Sequence, residues 1–358
     1  MRPDRTLAIV GAGFAGAKAA ETLREEGFDG RIVLIGAEAE RPYERPPLSK
    51  DYLRGETNEK PHVHEESFYE ENQVELRTST RVDSIELSAA EVVLTGGERV
   101  SYKRLLLATG AEPRRVNVPG ADLDGVMYLR TVADSNAIRD RIQAGGRLVT
   151  IGAGWIGAEV AASARQMGCE VTMIERSSLP LERVLGPELG AIYRDIHTDH
   201  GVEVLTDTTL AAFEGDARVE AVRTAQGNRI DADFVVVGVG VAPRADLASA
   251  AGIETDNGVL VDDRLETSAP NVFAAGDVAN AEHPCSGGGS ASSTGRTRSI
   301  RGRQPRGICS GRTDHTTPSP TSSRTNTTSG WSTRAMPPIG TRSSSAAIRN
   351  SESSSLSG

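Results

Sequence analysis

Apolar runs of strand length recur along residues 1–284, each closed by glycine and followed by apolar residues at helical spacing. Leu7-Ala8-Ile9-Val10 is the first such run. Gly11-Ala12-Gly13-Phe14-Ala15-Gly16 follows, and a helical pattern continues to about Glu26. Ile32-Val33-Leu34-Ile35 is a second strand of buried type. The same order then repeats. Leu148-Val149-Thr150-Ile151 leads into Gly152-Ala153-Gly154-Trp155-Ile156-Gly157, a helix, and Val171-Thr172-Met173-Ile174-Glu175. Strands alternating with helices predict an α/β fold, here with two Rossmann-like dinucleotide-binding domains.

The glycines of G-x-G-x-x-G each have a physical task. Gly11 and Gly152 allow a tight turn, Gly13 and Gly154 let backbone approach a pyrophosphate, and Gly16 and Gly157 let helix and strand pack closely. The helix N-terminus then offers free N–H groups and a positive dipole end to phosphate. Two complete units on one chain point to two dinucleotide sites; the competing reading is a pair of glycine turns without ligand. Glu175, at the end of its strand, can accept hydrogen bonds from both ribose hydroxyls and would repel a 2′-phosphate, which favours NADH over NADPH. Arg176 beside it would soften that preference. In the first unit Ala37 stands where an acid is expected, with Glu38 adjacent as a substitute.

Composition adds bounds. A chain of 358 residues with 37% hydrophobic and 4% aromatic content is long enough for roughly two to three domains. The net charge of −9 argues against a nucleic-acid binder. No apolar run reaches membrane-spanning length, and the stretch Leu7 to Ala17 reads as a strand and helix start, not a signal peptide. Cys169, Cys285 and Cys309 form neither a disulfide framework nor C-x-x-C, which suits a reducing, cytoplasmic compartment. Cys169, after Gly168, reads as a packed small hydrophobe. His62 and His64 form H-x-H without a third ligand nearby, so no metal site is expected.

The charge is split along the chain. Residues 1–284 hold 30 Lys+Arg against 47 Asp+Glu, a net of −17, whereas residues 285–358 hold 10 Arg, no Lys and two acids, Asp314 and Glu352, a net of +8. The latter segment has 19 Ser, 11 Thr and 10 Gly but no Val, Phe or Tyr, too little apolar surface to offset chain entropy. It is expected to be disordered.

Further segments carry a resemblance. They are Arg41-Pro42-Tyr43-Glu44-Arg45-Pro46-Pro47-Leu48-Ser49-Lys50, Leu106-Leu107-Ala108-Thr109-Gly110, Tyr128-Leu129-Arg130-Thr131, Gly238-Val239-Gly240-Val241-Ala242-Pro243, and Thr267 to Asp277. Together with the glycine turns they resemble the FAD-dependent, NADH-using ferredoxin reductases of the rubredoxin, putidaredoxin and biphenyl-dioxygenase reductase type. R-P-x-x-R-P-P-L-S-K is the most specific piece; the others are shared with wider two-dinucleotide flavoproteins. The resemblance implies an FAD-binding domain formed by residues 1–112 and 243–284, with an NADH-binding domain, 113–242, inserted. It places Gly11, Gly13, Phe14, Ala15, Gly16, Glu38, Arg45, Lys50, Val82, Thr109, Gly110, Arg130, Gly276 and Asp277 at FAD. It places Gly152, Gly154, Ile156, Gly157, Glu159, Glu175 and Gly240 at NADH. Thr109-Gly110 marks the crossing between domains, and Asp277 would bind the ribityl chain. Lys50 and Glu159 are similar to a family ion pair beside the flavin, with catalytic weight; the bland readings are a surface lysine and a solvated helix residue.

The implied activity is electron transfer from NADH through FAD to a ferredoxin or rubredoxin. Pro46 to Ser49 offers no thiol for an internal disulfide relay, so electrons must leave to an external carrier. Two alternatives stay open: a broader NAD(P)H:acceptor oxidoreductase, and a non-catalytic nucleotide-binding remnant.

The resemblance stops abruptly near Pro284, where the family continues with a stretch like R-V-E-H-W-A-N-A-L-N-Q-G. Shifting the reading frame by one base, with only degenerate third bases chosen, converts Cys285 to Gly302 into L-L-G-R-R-L-R-V-E-H-W-A-N-A-L-N-Q-G. Residues 285–358 are therefore read as an out-of-frame translation of a reductase gene. The family's next helix points its positive end at the flavin pyrimidine. Without it, this chain is expected to hold FAD weakly.

Overall fold

The computed structural model describes residues 2–281. The expectations for residues 285–358, a disordered tail read out of frame, lie outside the described residues. Two five-stranded parallel sheets dominate. The first has the spatial order Val272–Ala274, Arg104–Leu107, Arg2–Val10, Gly30–Ile35, Val74–Arg77. The second has the order Val202–Leu205, Glu170–Ile174, Arg147–Ile151, Phe234–Val237, Val126–Tyr128. Every ladder in both is parallel.

The strands form where the sequence is apolar on both faces, as parallel sheets require. Ile32, Val33 and Leu34 are fully buried, as are Val235 and Val236 in the second sheet. Each glycine turn opens a helix that recrosses its sheet, Phe14–Glu25 in the first unit and Trp155–Gln166 in the second. Both helices face inward with small residues, Ala17 and Ala20 in one, Ala158, Ala161 and Ala164 in the other. Small side chains let helix backbone approach the sheet.

Smaller elements join these units. Ala111–Pro113 pairs antiparallel with Val241–Pro243, so the chain leaves and returns at one ribbon. Residues after that ribbon rejoin the first sheet: Ala248, Ile253, Val259, Val272 and Val278 bury with Val10, Val33, Ile35 and Leu105. The segment bearing R-P-x-x-R-P-P-L-S-K does the reverse. It folds into a short turn, Pro46–Ser49, and helix, Asp51–Arg54, whose Leu48, Tyr52 and Leu53 bury against Ile138, Ile142, Val160 and Ala161 beside the second sheet. Burying each leucine there stabilises by ~1.5–3 kcal/mol. Cys169 is a buried free thiol, as a packed small hydrophobe should be. No helix among the described residues is long and apolar enough to cross a membrane.

Candidate functional site

The two glycine turns are built alike. Gly11 N–H donates to Ile35 O at 2.8 Å, and Gly152 N–H to Ile174 O at 2.7 Å. Gly11 and Gly152 both have positive φ, +119° and +93°. A Cβ on Gly11 would sit 2.0 Å from Ala108 O, just past the end of the neighbouring strand Arg104–Leu107. A Cβ on Gly16 would lie 2.1 Å from Gly11 O, and one on Gly157 1.9 Å from Gly152 O, so helix and turn touch with no room for a side chain. Gly13 instead faces open space, with nothing within 4 Å.

The helix starts at these turns are also bare. Neither has a side-chain cap or an acid in its first turn. The helix Val132–Gln143 shows the contrast: Thr131 and Asp134 form a full capping box. Uncapped N–H groups behind a glycine turn that leaves space for a ligand fit a pyrophosphate at both sites. Phe14 and Trp155 occupy the same first helical position in the two units and are each 41% exposed. Ile156 is partly buried against the core beside the second sheet.

A polar network gathers at the first turn. Gly276 presses against the turn, a Cβ there falling 2.9 Å from the Ala15 methyl, and so brings Asp277 alongside. Asp277 Oδ2 accepts from Arg130 Nη2 at 2.9 Å. Arg45 donates from Nη1 to the Arg130 carbonyl and from Nη2 to Glu38 Oε1 at 3.0 Å, while Tyr43 OH donates to Glu38 Oε2. Arg130 Nε is buried with no acceptor. Burial, then the nearby Arg45 charge, pulls the Arg130 guanidinium below its ordinary pKa, and burial pushes the Tyr43 phenol up. A buried cation with an unused donor is suited to an anion such as a phosphate. Thr109 Oγ1 donates to Arg244 O at 2.8 Å and Arg244 N–H to Gly110 O at 2.9 Å, closing the crossing at the ribbon. Gly240 O accepts from Arg114 N–H at 2.9 Å on the return strand. Val82 opens its strand partly buried, two residues past Thr80, whose N–H binds Gly36 O.

One expectation is corrected by strand register. Gly36 N–H donates to Arg77 O as Glu175 N–H does to Leu205 O, and Gly36 O accepts from Thr80 N–H as Glu175 O does from Thr208 N–H. Gly36, not Ala37, is thus the counterpart of Glu175, and Glu38 matches Ser177. The extra residues between helix and strand in the first unit hide this in a linear comparison. Glu38 spends both carboxylate oxygens on Tyr43 and Arg45.

The pair expected across the units is present. Lys50 Nζ lies 2.8 Å from Glu159 Oε1. Ser49 Oγ donates to the other oxygen, Glu159 Oε2, at 2.5 Å. Ser163 Oγ donates to Ser49 O at 2.7 Å and Ser135 Oγ to Leu48 O at 2.8 Å, which pins the Pro46–Ser49 turn to two helices of the second unit. Tyr43, Ser49, Ser135 and Ser163 were not among the expected site residues. The first two lie inside the R-P-x-x-R-P-P-L-S-K segment, which was the available signal; the other two are single serines on helices with none.

Two glycine turns of dinucleotide-binding form, a bridging ion pair and a charged network at one turn define a two-dinucleotide oxidoreductase scaffold. The profile of the pyridine nucleotide-disulphide oxidoreductase family matches residues 5–300, and the chain belongs to that family. It is 44% identical over 274 residues to the biphenyl dioxygenase system ferredoxin–NAD(+) reductase component of Paraburkholderia xenovorans (strain LB400), covering 76% of this chain and 67% of that one. It is 38% identical over 286 residues to putidaredoxin reductase CamA of Pseudomonas putida, covering 78% and 68%. The covalent putidaredoxin reductase–putidaredoxin complex superposes with a TM-score of 0.76 at 37% identity, over 78% of this chain and 69% of that chain. The chain thus spans about two thirds of the length of these relatives.

Proposed function

We propose that this chain is an NADH-dependent FAD flavoprotein that passes electrons to a small iron–sulfur carrier, a ferredoxin or rubredoxin. FAD lies on the first turn and NADH on the second, in units spanning 1–112 with 243–284, and 113–242. The observation that carries this reading is the Lys50–Glu159 pair, 2.8 Å apart. Lys50 follows the first glycine turn and sheet strand, whereas Glu159 sits on the helix that starts at the second turn. The pair therefore stands where the two ligands would meet.

Bound FAD would supply two-electron acceptance and one-electron release. The residues do the rest. Gly13 and the bare helix start after it take the pyrophosphate, Arg130 adds its unused donor, and Asp277 offers a carboxylate to sugar hydroxyls. Ser49 orients the Glu159 carboxylate, which holds the Lys50 ammonium in place, where a fixed positive charge favours an electron-rich ring. Among the described residues Cys169 is the one thiol, buried with Sγ 3.6 Å from Ile142 O and held in the apolar core. On this reading electrons pass to an external acceptor and not to that thiol. The relatives named as ferredoxin– and rubredoxin–NAD(+) reductases support the class of carrier. A free buried thiol suits the cytoplasm.

The test is anaerobic. NADH added to the FAD-loaded chain is expected to bleach the flavin, and added ferredoxin or rubredoxin to restore its colour while becoming reduced. A flavin that keeps its colour with NADH refutes the reading. Bleached flavin reoxidised by quinones but by neither carrier replaces it with the broader acceptor activity.

A further inference from the structure

A cavity of about 590 Å³ opens on the first unit, within the range that holds a small organic ligand. Lys103 and Asn271, which line it, immediately precede the strands Arg104–Leu107 and Val272–Ala274. The same strands run on to Ala108, which lies against Gly11, and to Gly276, which lies against Ala15. The cavity therefore sits at the opposite end of the sheet from the first glycine turn, about 13 Å away along four residues of strand. Hydrogen bonds join its walls. Tyr102 N–H donates to Ala90 O at 2.8 Å, Leu105 N–H to Asn271 O at 3.0 Å, and Glu254 N–H to Ser268 Oγ at 2.9 Å. Leu87, Ala90, Pro270 and the Tyr102 ring give the cavity an apolar side. Lys103, Ser268 and Asn271 give it a polar one that holds no acid, although acids outnumber bases by 47 to 30 over residues 1–284. The donors there are unspent. The Lys103 ammonium, the Tyr102 hydroxyl and the Asn271 side-chain amide make no hydrogen bond or ion pair with any described residue. Burial pushes the Tyr102 phenol up, so it stays protonated and able to donate.

We propose that this cavity binds a small organic carboxylate with an apolar body, Lys103 supplying the counter-charge and Tyr102 and Asn271 the further donors. Three separate donors can share the two oxygens of a carboxylate. An inorganic anion would leave the apolar wall against water, and a neutral arene would leave the ammonium without a partner. The site is independent of the electron-transfer reading, because neither Lys50 nor Glu159 lines it and it opens at the far end of the sheet from the cofactor turn.

The test is isothermal titration of the whole chain, with and without saturating FAD. The probes are benzoate and hexanoate, each against its own amide, together with acetate and benzylamine. The better of the two acids is expected to bind about tenfold tighter than its amide, which lacks the charge, and about tenfold tighter than acetate, which lacks the apolar body. Benzoate ahead of hexanoate identifies an aromatic body, and the reverse an aliphatic one; either order upholds the site. The affinity should be the same with FAD present. Lys103 is exposed, so Lys103→Met and Lys103→Glu are expected to fold, and a melting curve of each checks this. Lys103→Met should lose the tenfold advantage of acid over amide, and Lys103→Glu should take benzylamine in preference to benzoate. Acids that bind no tighter than their amides, a preference for acids that survives Lys103→Glu, or displacement of the acid by FAD overturns the proposal.

Discussion

Arg130→Met separates a ligand-binding cation from a structural one, because the two roles predict opposite signs. Arg130 makes one ion pair, with Asp277 at 2.9 Å, and Asp277 is 39% exposed. Its own side chain is 17% exposed, with Nε buried and unpartnered. An unsatisfied buried donor costs ~1–3 kcal/mol, and the neighbouring Arg45 and Arg244 charges add repulsion. A pair with a partly solvated carboxylate returns about 1 kcal/mol or less. Methionine fills similar volume without those penalties, so ligand-free stability should rise or stay within about 1 kcal/mol, a melting shift of ~2–4 °C at most. FAD affinity should move the other way. One charge-assisted bond to phosphate is worth ~1.5–3 kcal/mol, roughly ten- to a hundredfold in Kd. The assay pairs a melting curve without ligand with a titration of flavin fluorescence. A large loss of melting temperature with unchanged FAD affinity would mean that Arg130 is a structural strut.

Gly11→Ala places a side chain at φ +119° and 2.0 Å from Ala108 O, so a loss of ~3 kcal/mol or more is expected in urea unfolding, and stability within 1 kcal/mol of wild type contradicts the turn geometry. Lys50→Met should slow NADH-driven flavin reduction by about tenfold or more with NADH affinity little changed, in stopped-flow traces; an unchanged rate removes Lys50 from the reacting centre. Carrier reduction should fall as salt is added at low ionic strength, because a body of −17 must meet an acidic carrier through a local basic patch; a rate that rises with salt denies the patch. His197 is buried, and burial first, then the His200 charge, holds its pKa below the usual 6.5. The unfolded chain then binds the extra proton, so stability is lost as pH falls below about 6.5; His197→Gln should flatten the urea midpoint between about pH 7.5 and 5, and an unaltered slope shows that other groups govern it.

The sequence by itself determined both strand–glycine–helix–strand units. Apolar runs, helical spacing and glycine positions are local properties, and local hydrogen bonding and burial turn them into structure within about a residue or two of the expected ends, save that the first strand begins at Arg2 and not at Leu7. Residue type and position marked Glu175, and the resemblance to the ferredoxin reductases marked Lys50, Glu159, Arg130 and Asp277. Tertiary structure decided which of these meet. Arg45 reaches the Arg130 carbonyl across 85 positions, Arg130 reaches Asp277 across 147, and Ser49 reaches Glu159 across 110. Ladder register, not linear spacing, showed that Gly36 matches Glu175 and left Glu38 bound to Tyr43 and Arg45. Such pairings depend on how two sheets and the turn between them pack, and packing is fixed by many weak contacts summed over the core, which no single stretch of chain records.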